Sequence, residues 1–92
     1  MRGIRWNAQK NELLVKTRGT GFGAAARLIG AGSILDTIDN SNQAKYAGQK
    51  IFVLNINNYA WLVPFVEDES GIFLKTMIPS RNATKKYLKG GN

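Results

Sequence analysis

The fold class predicted by this sequence is α+β: a small antiparallel sheet of about four strands, packed by two N-terminal helices and closed by one basic C-terminal helix. Three observations carry that expectation. Two early segments have helical spacing and end in glycine. Residues 50–78 hold β-branched and aromatic runs separated by short polar turns. A Pro79-Ser80 pair then stops the last run and opens a helix rich in lysine.

Asn7 is placed to cap a first helix over residues 8–18, which ends at Gly19. Its expected apolar face is Trp6, Leu13 and Leu14, with Lys10 among them. A second, alanine-rich helix over 22–30 buries Phe22, Ala25, Ala26 and Ile29 and stops at Gly30 and Gly32. Ile34 to Ile38 reads as a short strand, followed by turn chemistry over 39–43. Lys50 to Ile56 and Tyr59 to Glu67 form a hairpin about Asn57-Asn58, where Pro64 marks an edge position or a bulge. Residues 67–71 turn the chain into a last strand, Ile72 to Ile78. Gly90-Gly91-Asn92 reads as a frayed tail. The expected layout is a meander with the first strand on one edge and the helices on one face.

The C-terminal helix divides on a helical wheel. Ala83, Thr84, Tyr87 and Leu88 share one arc; Arg81, Lys85, Lys86 and Lys89 share the other. With Lys75, five cations and no acid occupy residues 75–92. Residues 1–27 hold six cations against Glu12, while residues 28–74 hold two lysines against five acids, and the whole chain carries +7. Two basic ends flanking an acidic middle suit nucleic acid or an acidic partner, if the ends meet in space.

The 92 residues make one domain. Cysteine and histidine are both absent, so there is no disulfide framework, no thiolate metal site and no usual neutral-pH proton carrier. The start has no apolar signal region, and the longest apolar run, Tyr59 to Val66, is far too short to span a bilayer. A cytoplasmic chain with no membrane partner is expected.

No P-loop occurs, and Thr20-Gly-Phe-Gly lies between helices rather than after a strand. Glu67, Asp68 and Glu69 read as a solvated turn rather than a metal site. The Asn82-Ala83-Thr84 tripeptide sits in a predicted helix and is discounted as a glycosylation signal.

The cations, hydroxyls and aromatics that remain suit metal-free RNA cleavage. There the 2′-hydroxyl is the nucleophile, and the protein supplies alignment, charge neutralisation and proton movement. Lys10, Lys75 and Arg81 are the candidates for this chemistry; Arg81 stands at the first turn of the last helix, and its structural reading is a pair with Asp36 or Asp39. Tyr87 reads as a core anchor, and Tyr59, Trp61 and Phe65 read as one core-facing strand face, which would stack bases instead if that face were open.

Several segments together resemble the BrnT-like toxins of bacterial type II toxin–antitoxin modules: Trp6-x-x-x-Lys10, Arg18-Gly19-x-x-Phe22, Ile34-Leu35-Asp36, Gly48-Gln49-x-Ile51-Phe52-Val53 and Pro79-Ser80-Arg81-x-Ala83-Thr84-Lys85. The resemblance implies a RelE-like fold and an endoribonuclease that inhibits translation. It also implies a small cognate antitoxin, of a kind often carrying a ribbon-helix-helix part, through which alone operator DNA is met. By position it implies Lys10, Arg81 and Lys85 as catalytic residues, beside Lys75 from the chemistry above. Lys86, Lys89 and Arg18 are expected to hold RNA, and no cofactor or metal is expected. Gly23 stands where the family usually has an acid, and Asn82 where it has a basic residue. A non-catalytic nucleic-acid-binding or antitoxin-binding module is the alternative.

Overall fold

A computed structural model describes residues 3–39 and 49–88. Lys89, the 90–92 tail and most of the turn after Asp39 lie outside the described residues. The elements in chain order are β1 (Gly3–Trp6), α1 (Ala8–Arg18), α2 (Phe22–Gly30), β2 (Asp36–Asp39), β3 (Lys50–Ile56), β4 (Tyr59–Asp68), β5 (Gly71–Leu74), β6 (Ile78–Pro79) and α3 (Arg81–Tyr87). Among the described residues the strands form one six-stranded mixed sheet in the order β1-β5-β4-β3-β2, with β6 pairing β4.

The α+β class holds, but the sheet has six strands rather than about four and is not wholly antiparallel. The unforeseen strand is β1, which lies parallel to β5 with Gly3 opposite Gly71 and Trp6 opposite Leu74. Trp6 therefore belongs to the sheet rather than to the first helix, and its ring stacks on Phe22 at 6.0 Å. The close approach requires glycine at Gly71, whose φ is 137° and where a Cβ would run into the Gly3 carbonyl oxygen.

The helix limits follow from local chemistry. The Asn7 side chain accepts the Lys10 N–H, and Gly19 ends α1 at φ 74°, a left-handed value that glycine adopts without a Cβ penalty. Gly21 has no capping side chain, so Asn11 reaches across from α1 and accepts the Phe22 N–H at 2.8 Å. The hairpin turn is Asn57-Asn58, with φ 55° and 65°, as a type I′ connection requires.

The first strand of the meander sits at the edge as expected, as β2 on β3. The expected last strand is broken in two. Phe65 faces Leu74 and Leu62 faces Ile78, so Val63 and Pro64 are opposed by three residues, Lys75 to Met77. One extra residue makes this a bulge. Pro64 accounts for it: it lies in the central strand, has no N–H to give, and offers only its carbonyl, which accepts from the Lys75 N–H at 2.8 Å. The bulge shifts the side-chain phase, so Leu74 and Met77 both enter the core while Ile78 is 45% exposed.

The helices do not all cover one face. Leu14, Phe22 and Ala25 from α1 and α2 pack on Phe52, Leu54, Ile56, Trp61, Val63 and Phe65. Phe52 and Phe65 stack at 3.9 Å within this layer. α3 lies on the opposite face, where Ala83, Tyr87 and Leu88 meet Val53, Ala60 and Leu62. Strand alternation explains the split: Phe52 and Leu54 point one way and Val53 the other. No helix of the described residues is long and apolar enough to cross a membrane.

Candidate functional site

The basic helix is fixed to the sheet by hydroxyls. Ser80 caps it by accepting the Ala83 N–H at 3.1 Å. The Ser80 N–H itself donates to the Ala60 carbonyl at 3.0 Å, the last rung of the β6–β4 ladder. As the chain leaves the sheet, the Ala60 N–H would lose its strand partner. Thr84 replaces it: its Oγ1 accepts from the Ala60 N–H at 2.8 Å and donates to the Ser80 carbonyl at 2.7 Å. Thr84 is 3% exposed, a buried polar side chain with every bond directed. Ala83 is small enough to let the helix sit close on Val53 and Ala60.

At the far end of α3, the Tyr87 hydroxyl donates to Asp36 Oδ2 at 2.6 Å. That bond, then the Thr37 N–H and to a lesser degree Lys86, holds the Asp36 carboxyl below its ordinary value. The same bond holds the Tyr87 phenol above its ordinary value. Tyr87 is thus an anchor from helix to edge strand, as expected, and its proton is engaged. The structural reading of Arg81, a pair with Asp36 or Asp39, does not appear among the described residues, and Asp36 accepts from Tyr87. Among the described residues no carboxylate pairs with Arg81 or Lys85.

Arg81 and Lys85 stand one turn apart on the exposed side of α3. With Thr84 and Tyr59 they line an open cleft of about 350 Å³. Tyr59 is 37% exposed, so it does not join Trp61 and Phe65 in the core as its alternation suggests. It opens β4 directly after the Asn57-Asn58 turn, opposite Ile56.

Lys10 and Lys75 come together elsewhere, in a second cleft lined also by Asn7, Gln9, Leu13 and Phe73. The two clefts share no residue. Leu13 is 54% exposed, so the apolar surround expected about Lys10 is open on that side. Lys75 leaves the strand at the bulge, and its ammonium lies 5.6 Å from the centre of the Phe73 ring. The Arg5 guanidinium lies 5.9 Å from the same centre. Phe73 thus sits within a basic stripe to which both chain ends contribute, the N-terminal side through Arg5 and Lys10. Neither Arg18, exposed in the last turn of α1, nor Lys86, whose ammonium lies over the Tyr87 ring at 5.2 Å, lines either cleft.

The acidic turn is a structural device. Asp68 Oδ1 accepts from the Ser70 N–H and hydroxyl, at 2.8 and 2.6 Å, and from the Gly71 N–H at 3.2 Å. These bonds, with Arg5 at 3.6 Å, hold its carboxyl below the ordinary value. No cluster of three metal-ligating side chains occurs among the described residues.

Two features of the site escaped the sequence reading. Periodicity places Thr84 on the inward arc with no polar partner in view, and alternation places Tyr59 in the core. Turn position was the available signal for Tyr59, since a residue beside a two-residue hairpin turn lies at the sheet's end. The site is thus two cation–aromatic clefts on a mixed α+β sheet, and no protein-family model, curated protein or solved structure matches the chain.

Proposed function

We propose that this chain is a BrnT-like toxin with a RelE-like fold, an endoribonuclease that cleaves RNA through attack of the 2′-hydroxyl and is neutralised by a small antitoxin. The observation that carries the reading is the cleft of Arg81, Lys85, Thr84 and Tyr59, whose two cations have no carboxylate pairing them among the described residues. Such a surface binds a phosphate and favours the extra charge that develops on a phosphorane. Lys10 and Lys75 give the second cleft its positive charge and suit a neighbouring phosphate of the same strand.

The test is induced expression with and without the neighbouring antitoxin gene, followed by cleavage of RNA by purified protein without added metal. Growth arrest and cleavage are expected, with Arg81→Ala lowering the cleavage rate about a hundredfold. Cleavage that is undiminished in Arg81→Ala, or that requires Mg²⁺, counts against the proposal.

The second reading, a module that binds nucleic acid or antitoxin without cutting, draws on the separation of the clefts. Lys10 and Lys75 line a different cleft from Arg81 and Lys85, and the Tyr87 proton is tied to Asp36. This reading expects strongly salt-dependent RNA binding with no cleavage products.

A further inference from the structure

We infer that Tyr59 is a base-stacking platform, so that the Arg81–Lys85 cleft takes one nucleotide of a single-stranded RNA, its base on the Tyr59 ring and its phosphate between the two cations. The inference deepens the reading of this surface as an RNA site and rests on it. Four observations lead there.

Among the described residues Tyr59 is the aromatic residue that lines the cleft, and it is 37% exposed, whereas the other aromatic residues of its strand, Trp61 and Phe65, are buried. Aromatic rings left at the mouth of a basic cleft offer a π-face that every base can use. Second, the ring is held on a rigid mount. It opens β4 directly after the Asn57-Asn58 turn and faces Ile56 across the hairpin.

Third, the residue next to Tyr59 is tied to the segment that carries the cations. The neighbour of Tyr59 is Ala60, whose N–H and carbonyl are bonded to Thr84 and Ser80, which precede Lys85 and Arg81 respectively. The clasp that docks α3 thus also sets the separation of stacking face and cations, which a nucleotide site requires. Fourth, the cleft, at about 350 Å³, is within the size range of sites that take a small ligand, and its lining is apolar ring, hydroxyl and cations rather than acids.

The experiment measures binding of the full chain to a fluorescent, 2′-O-methylated RNA of about eight nucleotides, which cannot be cut, and to an abasic strand of the same length and charge. Tyr59→Phe, Tyr59→Leu and Arg81→Ala are compared with wild type, each checked for folding by near-ultraviolet circular dichroism. The leucine variant keeps an apolar group against Ile56, so that loss of the ring is separated from loss of the hairpin.

Tyr59→Leu is expected to bind the base-bearing strand roughly tenfold more weakly and the abasic strand as wild type does, while Tyr59→Phe keeps wild-type affinity for both. Arg81→Ala is expected to weaken both strands alike. Arg81-dependent binding that is indifferent to Tyr59→Leu overturns the stacking role alone. So does a Tyr59→Phe variant as weak as Tyr59→Leu, which would assign the role to the hydroxyl. Wild-type protein that binds neither strand overturns the RNA reading and this inference with it.

Discussion

The two faces of the sheet are held by different forces. On one, α1 and α2 press large apolar side chains into the strands, and Phe22, Leu54 and Leu74 reach full burial. On the other, α3 meets the sheet through a smaller cluster, in which only Ala83, Val53 and Ala60 are buried and Leu62, Tyr87 and Leu88 are partly so, and it is fixed by the Ser80, Thr84 and Tyr87 hydroxyls. Apolar burial is non-directional and tolerates small shifts, whereas a hydrogen bond fixes distance and angle. The face that carries the candidate site is the one whose geometry is set by direction. Stability and site placement therefore reside in different residues, and substitutions can separate them.

The largest effect belongs to the first face. Phe22 is fully buried against the sheet, and Phe22→Ala is expected to cost about 3–5 kcal/mol, read as a lowered midpoint in urea denaturation. In a chain this size that is a large part of the total stability. RNA binding should disappear along with the fold, in proportion to the unfolded fraction. A variant that lost less than about 1 kcal/mol would show that the α1–α2 layer is not the main source of stability.

Thr84→Val inverts the pattern. The shape is kept, but the Ala60 N–H loses its acceptor in a site that water cannot reach. A cost of about 1–3 kcal/mol is expected, smaller than for Phe22→Ala. Amide exchange should locate the loss, with the Ala60 N–H exchanging faster while the β3–β4 ladder stays protected. Cleavage or RNA binding should fall more than the unfolded fraction explains, because Arg81 and Lys85 lose their register to Tyr59. Thr84→Val protein as stable and as active as wild type would break the contrast between the faces.

How much of this could be read beforehand follows the same division. Local rules carried far: the helices over 8–18 and 22–30, the strand over 50–56, the Asn57-Asn58 turn and the inward arc of the last helix were all legible, because caps, glycines and periodicity are written into adjacent residues. What depends on distant residues was not. β1 is four residues long and exists because Gly71 admits Gly3 beside it, a pairing no local window contains. Pro64 announced a bulge, but the extra residue falls on the facing strand at Lys75–Met77. Strict alternation therefore does not carry from Leu74 to Ile78: the first is buried and the second exposed. Arg81 and Lys85 were legible as a pair from their spacing. That Lys10 and Lys75 form a separate cleft follows from the parallel β1–β5 pairing, which brings the start of α1 beside the bulge.

The smallest expected effect tests the far end of the directional face. Asp36 is held below its ordinary 3.8 chiefly by the Tyr87 hydroxyl. A carboxyl whose folded pKa lies below its unfolded one contributes stability above the unfolded value and loses it as pH falls through the folded one. Wild-type stability should therefore decline as the solution is acidified from about pH 4 downward. Asp68, depressed first by the Ser70 hydroxyl and helped by Arg5, adds to the same decline. Tyr87→Phe removes the largest part of the first contribution, leaving that of the Thr37 N–H and Lys86, and leaves the second whole. The variant should be slightly less stable than wild type at neutral pH, and the gap should close as both proteins are acidified. Because both groups face solvent, the effect is modest, and raised salt should leave most of it, since the main cause is a hydrogen bond rather than a distant charge. The absence of any gap at neutral pH would mean that Tyr87 holds α3 by its ring alone. The contrast between the faces would then rest on the Ser80–Thr84 clasp.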